Sequence, residues 1–444
     1  MNVSFISLGC DKNRVNTEQM MALCLQAGHT VQEDCSGSDV VVINTCGFIE
    51  SAKTEAIETI LETAQYKQTG SMKGLVVTGC LVQRYADEMR KELPEIDVLC
   101  GTGSYDNIVD AANAALKGQQ AAYMADMTAA ALDGGRNRLT PSYTAYFKIA
   151  EGCSNTCAYC IIPKLRGRYR SREMASLLEE ARALSEAGVK ELIVIAQDIT
   201  KYGMDLPEHN RLLPDLLREL CKLDFTWIRL HYLYPDQITD ELIETIKTEE
   251  KVCNYLDIPI QHASDAVLKR MGRRTNNKEI RGLIAKLRKE IPDIALRTTL
   301  ISGFPGETEE DHEILMQFVD DMEFDRLGVF AYSPEEDTPA FSFENQVPEE
   351  VKQDRRDEIM ELQQEIAFEK SETMKGRTLE VMIEGKVADE NAYVGRTYMD
   401  SPNVDGLIFV NTGLSLMSGD FLKVRVTGAS EYDLIGEAED EFTE

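Results

Sequence analysis

The sequence predicts an α/β protein with a small all-β domain at its C-terminal end, and three patterns carry that prediction. Residues 1–116 alternate short β-rich runs with helical patterns, as a parallel α/β sheet does. A second series of six βα units begins near residue 146, enough for a complete or partial (β/α) barrel. From Thr378 onward the pattern shortens to alternating strands with no helices between them, as in a small barrel of the oligonucleotide-binding (OB-like) type.

In the first unit, residues 3–8, 40–44 and 75–78 read as buried parallel strands, and 14–26, 49–66 and 84–92 as the helices between them. Residues 117–142 are rich in Ala, Gly and Gln, end in LDGGRNRLTPS, and read as a linker. The second unit places strands at 146–150, 191–196, 227–233, 255–259, 295–301 and 327–332, with helices such as 176–187 and 278–290 between them. Residues 348–375 form a charged helical pattern. The strands LEVMIEGKV, AYVGRTY, LIFVN and FLKVRVTGAS follow it. The expected domains are therefore 1–125, 139–372 and 373–441.

Composition narrows the classes. The chain has 444 residues, 43% hydrophobic and 28% charged, which are globular values. Its net charge of −30 disfavours broad nucleic-acid binding and suits a basic protein partner. The N-terminus lacks the basic start and long apolar centre of a signal peptide, and no apolar run approaches the ~20 residues that span a bilayer. A cytoplasmic location with no membrane partner is expected. In a reducing compartment the 11 cysteines are not a disulfide framework, so ligation, catalysis or burial must account for them.

The strongest local signal is EGCSNTCAYC, with Cys153, Cys157 and Cys160 spaced C-x-x-x-C-x-x-C directly after the first strand of the second unit. Three thiolates on one loop can bind three irons of a cubane and leave the fourth open for chemistry. A zinc knuckle, the rival, would show a C-x-x-C pair with further His or Cys ligands nearby, and none is in reach. These residues resemble the cluster motif of the radical S-adenosylmethionine (radical SAM) superfamily. The resemblance implies that the open iron binds the amino and carboxylate groups of the cofactor, whose reductive cleavage gives a deoxyadenosyl radical. It also implies that Tyr159 lies near the adenine.

Further candidates sit at other strand ends. In ISGFPGET, Gly303 and Gly306 allow close approach of a ligand, while Thr308 and Asp311 also fit a helix cap. Gln261 and His262 end the fourth barrel strand. Gln197 and Asp198 end the second and are candidates for holding the amino-acid part of the cofactor.

Three other cysteines obey a rule of their own. ISLGC, VINTC and VVTGC each end a strand, so Cys10, Cys46 and Cys80 would converge on the C-terminal edge of the first sheet, where open α/β sheets bind ligands. Gly9, Gly47 and Gly79 beside them would leave room for an inorganic group. Singly, each Cys reads as a small hydrophobe; three at the same topological position point to a second cluster. Cys100, after an apolar run, could be a fourth ligand but is left out. Cys24, Cys35, Cys221 and Cys253 read as packing.

In this order the whole chain resembles the methylthiotransferases: a three-Cys N-terminal domain, a radical SAM domain and a C-terminal TRAM domain. The resemblance implies two 4Fe–4S clusters and two uses of S-adenosylmethionine, as methyl donor and as radical source. It also implies a reductant and a sulfur donor, which the residues do not identify. Such chemistry suits a carbon that no side-chain base can deprotonate. One branch modifies an adenosine in tRNA. The other, the RimO branch, modifies an aspartate β-carbon in the twelfth protein of the small ribosomal subunit. SLGCDKNRVNTE, EGCSNTCAYCIIPKLRGRYRSR and YLDIPIQHASDAVLKRMGR resemble the second branch. From Met374 onward 6 Lys or Arg stand against 14 Asp or Glu, a net −8 that favours a basic ribosomal protein over RNA. Against this, KLRGRYRSR (164–172) is basic and could meet RNA, the substrate's surroundings, the cofactor carboxylate or only solvent. A rival of another class is an RNA- or ribosome-binding factor with structural clusters, which would need no open iron.

Overall fold

The computed structural model describes residues 1–70, 72–128, 135–207, 210–388 and 391–439. Its first unit is a parallel sheet of six strands in the spatial order Thr30–Gln32, Asn2–Ser7, Val40–Thr45, Gly74–Gly79, Val98–Cys100, Ala121–Tyr123. The two central strands, VVVINT and GLVVTG, are buried along their whole length, as apolar runs covered on both faces must be. Helices Asp11–Gln26, Glu50–Gln68, Cys80–Glu92 and Ile108–Leu116 cover the faces. The strand Ala121–Tyr123 corrects the linker reading, because the Ala-rich stretch begins by adding an edge strand beside Val98–Cys100. Arg136 nearby is buried between Glu18 at 3.4 Å and Glu180 at 3.1 Å, so the end of the stretch ties the first unit to the second. Its residues 129–134 lie outside the described residues.

The second unit is a six-stranded parallel sheet that stays open, hence a partial barrel. Its order is Thr144–Lys148, Glu191–Ile195, Trp227–Leu230, Val252–Asp257, Ala295–Ser302, Arg326–Ala331. After Lys148 the chain leaves the sheet. Ala150–Glu151 pairs antiparallel with Arg170–Ser171, which pins both ends of the cysteine loop. The 25-residue helix Glu349–Thr373 packs beside the last strand and the helix Glu309–Met322.

The C-terminal unit is a closed five-stranded barrel in the order Thr378–Lys386, Ala392–Thr397, Ile408–Asn411, Asp433–Ala438, Phe421–Ser430. The last strand in sequence, Asp433–Ala438, was not separable in the sequence because Gly436 and its acidic neighbours mask the alternation.

This barrel seals the N-terminal end of the second unit. Glu191 receives Arg229 at 2.9 Å and Arg396 at 2.6 Å, all three side chains fully buried. The turn after Thr397 inserts further: Asp405 accepts from Arg297 at 3.2 Å and Tyr255 at 3.2 Å, Asp400 pairs with Arg326, and Ser401 Oγ is 3.2 Å from His231 Nε2. Two of the acids counted toward the net −8 are therefore engaged internally. Among the described residues no helix is long and apolar enough to cross a membrane.

Candidate active site

Both sets of strand C-termini meet at the interface of the first two units. Lys53 at 3.1 Å and Arg84 at 2.7 Å, from the first unit, share Glu335 of the second, all with little exposure. A buried carboxylate held by two cations fixes the relative placement of the units.

On the first sheet the three cysteine loops interlock. A Cβ on Gly9 (φ +81°) would lie 2.7 Å from Cys46 Cβ, one on Gly47 would lie 2.9 Å from the Leu81 backbone, and one on Gly79 (φ +99°) 2.5 Å from Thr45 O. The glycines are thus demanded by loop-on-loop contact, which refines the expectation that they make room for an inorganic group. Cys10 caps the helix Asp11–Gln26 and Cys80 opens the helix Cys80–Glu92, so two thiols stand at helix N-termini, where anionic sulfur is favoured. Burial nevertheless pushes the Cys46 thiol up to about 12, with Cys80 adding to the rise. Burial raises Cys80 as well, against the pull of Arg166. Cys100 packs in the core with Tyr105 and Ile108.

The second set lies on the loop between Glu151 and Arg170. Gly152 (φ +77°) runs so close to Arg168 that a Cβ would sit 2.2 Å from its carbonyl oxygen, and Cys153 N donates to Gly167 O at 3.1 Å. Cys157 Sγ lies 3.2 Å from Tyr234 OH and 4.0 Å from Arg273. Burial raises the Cys153 and Cys160 thiols. All six cysteines are free. Among the described residues no three His, Cys, Asp or Glu close on a single-ion geometry. A cubane is wider than an ion and needs no such convergence.

A cavity of about 380 Å³ opens between the units, lined by Phe48 and Ile49 beyond Cys46, by Tyr159 from the second cysteine loop, and by Tyr232, Gln261 and Ile301 from strand ends. Tyr232 (φ +69°) and Gln261 (φ +74°) both hold left-handed backbone, unusual for such residues and concentrated here at the mouth. Tyr159 meets Phe304 edge-on at 6.4 Å. Gln197 donates to Glu151 at 3.2 Å, while its buried Oε1 has no partner among the described residues, so the site offers a free acceptor beside the loop. Three thiols, a free amide oxygen and an aromatic-lined cavity fit a cluster and its amino-acid-bearing cofactor.

The other candidates divide. Asp198 accepts from Asn155 at 3.0 Å and anchors the cysteine loop from outside. His262 is buried, accepts from Ser264 N at 2.9 Å, stands 3.5 Å from Glu307 and does not line the cavity. Gly303 (φ +70°) faces the stem of Lys352, 2.3 Å from where its Cβ would be, and does not line the cavity. Sequence reasoning missed Arg166 as a neighbour of the first set. Its guanidinium is buried, donates to Cys80 Sγ at 3.3 Å and Asn16 at 2.9 Å, and bonds Asn13. Burial opposes its charge, but Cys80, Tyr105 and Glu151 hold it protonated.

Three family patterns match the chain in this order. They are the uncharacterized protein family UPF0004 over residues 2–101, the radical SAM superfamily over 147–319 and the TRAM domain over 376–438. A ribosomal protein uS12 methylthiotransferase RimO of Lachnoclostridium phytofermentans is 57% identical over 99% of this chain and 100% of its own. One of Clostridioides difficile is 49% identical over 98% of each. Among solved structures, the radical S-adenosylmethionine methyltransferase TsrM of Kitasatospora setae shares the fold at a TM-score of 0.56, with 13% identity over 88% of this chain and 79% of that one. Identity of this extent over the full length makes the conclusion direct: the chain belongs to the ribosomal protein uS12 methylthiotransferase RimO family.

Proposed function

We propose that the chain methylthiolates the β-carbon of an aspartate in ribosomal protein uS12. In this reading Cys153, Cys157 and Cys160 hold the radical-generating 4Fe–4S cluster, and Cys10, Cys46 and Cys80 hold the cluster that handles sulfur. Residues 1–125, 139–372 and 373–441 act as its three domains. The observation that carries the reading is that residues from both cysteine loops line one cavity. In this reading each set keeps one iron open, and Cys100 serves as packing.

When bound, S-adenosylmethionine on the open iron supplies a radical strong enough to take hydrogen from an unactivated carbon. The chain's own residues bind and orient. Tyr159 and Gln261 border the space for the adenosine, and the unpartnered Gln197 Oε1 suits the cofactor ammonium. Gly303 serves through the turn its backbone permits. Phe48, Ile49 and Ile301 exclude water from the reacting carbon. TRAM acids that remain exposed, such as Glu431 and Glu437, suit a basic ribosomal protein.

Anaerobic reconstitution should give about eight irons per chain, falling to about four when Cys153, Cys157 and Cys160 are all replaced by Ala. That variant should form no deoxyadenosine. Replacing Cys10, Cys46 and Cys80 should abolish the methylthio adduct on uS12, read by mass spectrometry, while deoxyadenosine still forms. Full iron in the first triple variant would refute the ligand assignment.

A further inference from the structure

Several buried or half-buried cations belong to the segments that carry the two cysteine sets or pack beside them, and most of them are engaged. Lys148 is 2.7 Å from Glu151, Arg172 2.6 Å from Glu180, and Arg273 donates to the Pro259 carbonyl at 2.7 Å. Arg166 serves Asn13, Asn16 and Cys80, while Lys53 and Arg84 share Glu335. Lys12 differs. It lies two residues beyond Cys10, is 8% exposed, and rests its Nζ 3.1 Å from the centroid of the Tyr232 ring. No described residue accepts a hydrogen bond from it or forms an ion pair with it. An ammonium carries three donors, and leaving them unmet in a buried place is costly. Tyr232 (φ +69°) seats the cation with its ring while bordering the cavity.

We infer that Lys12 binds the carboxylate of the substrate aspartate, with Tyr232 seating the ammonium at the cavity wall. The inference rests on the proposed reading that an aspartate of uS12 is the substrate. The β-carbon is bonded directly to the carboxylate carbon, so anchoring one positions the other beside the loop of Cys10. The same contact separates aspartate from asparagine, whose amide offers a weaker acceptor and turns an NH₂ toward a cation.

The test uses the full-length reconstituted enzyme without reductant and two synthetic uS12 peptides, one with the target aspartate and one with asparagine there, with binding read by fluorescence anisotropy. The unaltered enzyme should prefer the aspartate peptide by about 10- to 100-fold, the scale of a charged hydrogen bond. Lys12→Met should bring that ratio toward unity, and Lys12→Arg should restore part of it. Iron content of each variant is measured first. If Lys12→Met loses iron, Tyr232→Leu, far along the chain from every candidate ligand, should lower the ratio in its place. A preference near unity in the unaltered enzyme, or one undiminished in the iron-replete variant, overturns the assignment. An unaltered enzyme that binds neither peptide and leaves intact uS12 unmodified overturns the substrate reading instead.

Discussion

Arg166 and Arg172 belong to one basic run, yet neither meets solvent. Arg166 crosses to the first unit, Arg172 locks onto Glu180, and Arg170 turns back onto the Arg168 carbonyl at 2.7 Å. Lys164, 3.4 Å from Asp337, and Arg168 are exposed and match the picture of a solvated loop. Charge density along the chain could not reveal this, because the partners come from distant segments. Asp257 is a second such residue. Burial, with Arg297 opposing, raises its carboxyl to about 6, and its Oδ1 has no hydrogen-bond partner among the described residues. The folded state therefore binds the proton more tightly than the unfolded chain does. Stability is lost as pH rises from the ordinary aspartate value toward 6, and the full cost applies above it. Asp257→Asn should raise the thermal midpoint at neutral pH, by a stabilisation on the order of 2–3 kcal/mol, and give little gain at about pH 4. An equal gain at both pH values in a melting series would show that the carboxyl is not perturbed.

Elements carry the next layer of information. Strand C-termini converge because the sheet is parallel, and that was legible from ISLGC, VINTC and VVTGC alone. So were the six barrel strands, whose runs are long and apolar. Three-residue strands such as Thr30–Gln32 escaped, since three residues are too few to display a period. The glycines were legible as special, but their reason was not, because loop-on-loop contact exists only once the sheet is assembled. Gly79 shows the consequence. Its φ of +99° and the 2.5 Å approach to Thr45 O leave no place for a methyl group. Gly79→Ala should destabilise the first unit by about 1–3 kcal/mol and lower iron in that unit's site, leaving the Cys153–Cys157–Cys160 iron in place. Iron analysis of Gly79→Ala combined with the Cys153, Cys157, Cys160 triple variant isolates the effect. Undiminished iron there would remove the packing argument.

At the scale of the whole molecule, Glu191 is the joint between the partial barrel and the C-terminal unit. Arg229 and Arg396 hold its carboxyl down to about 2 against the opposing effect of burial. Its contribution is present above the ordinary glutamate value and is lost as pH falls toward 2. Glu191→Gln leaves the buried Arg229 with a neutral partner and Arg396 with Glu384 at 2.6 Å as its remaining carboxylate. It should cost about 3–5 kcal/mol and make the C-terminal unit separable by limited proteolysis at neutral pH. An unchanged digestion pattern would show that the joint does not depend on this residue. Sealing by Asp400, Ser401 and Asp405 has a consequence for traffic. With the N-terminal end of the barrel stopped by its own C-terminal unit, the cavity between the first two units is the expected route for cofactor, protein substrate and spent nucleoside alike. A bound ribosomal protein then stands in the doorway of everything smaller behind it. Turnover is then expected to run as a queue, with deoxyadenosine leaving after the modified protein has stepped away.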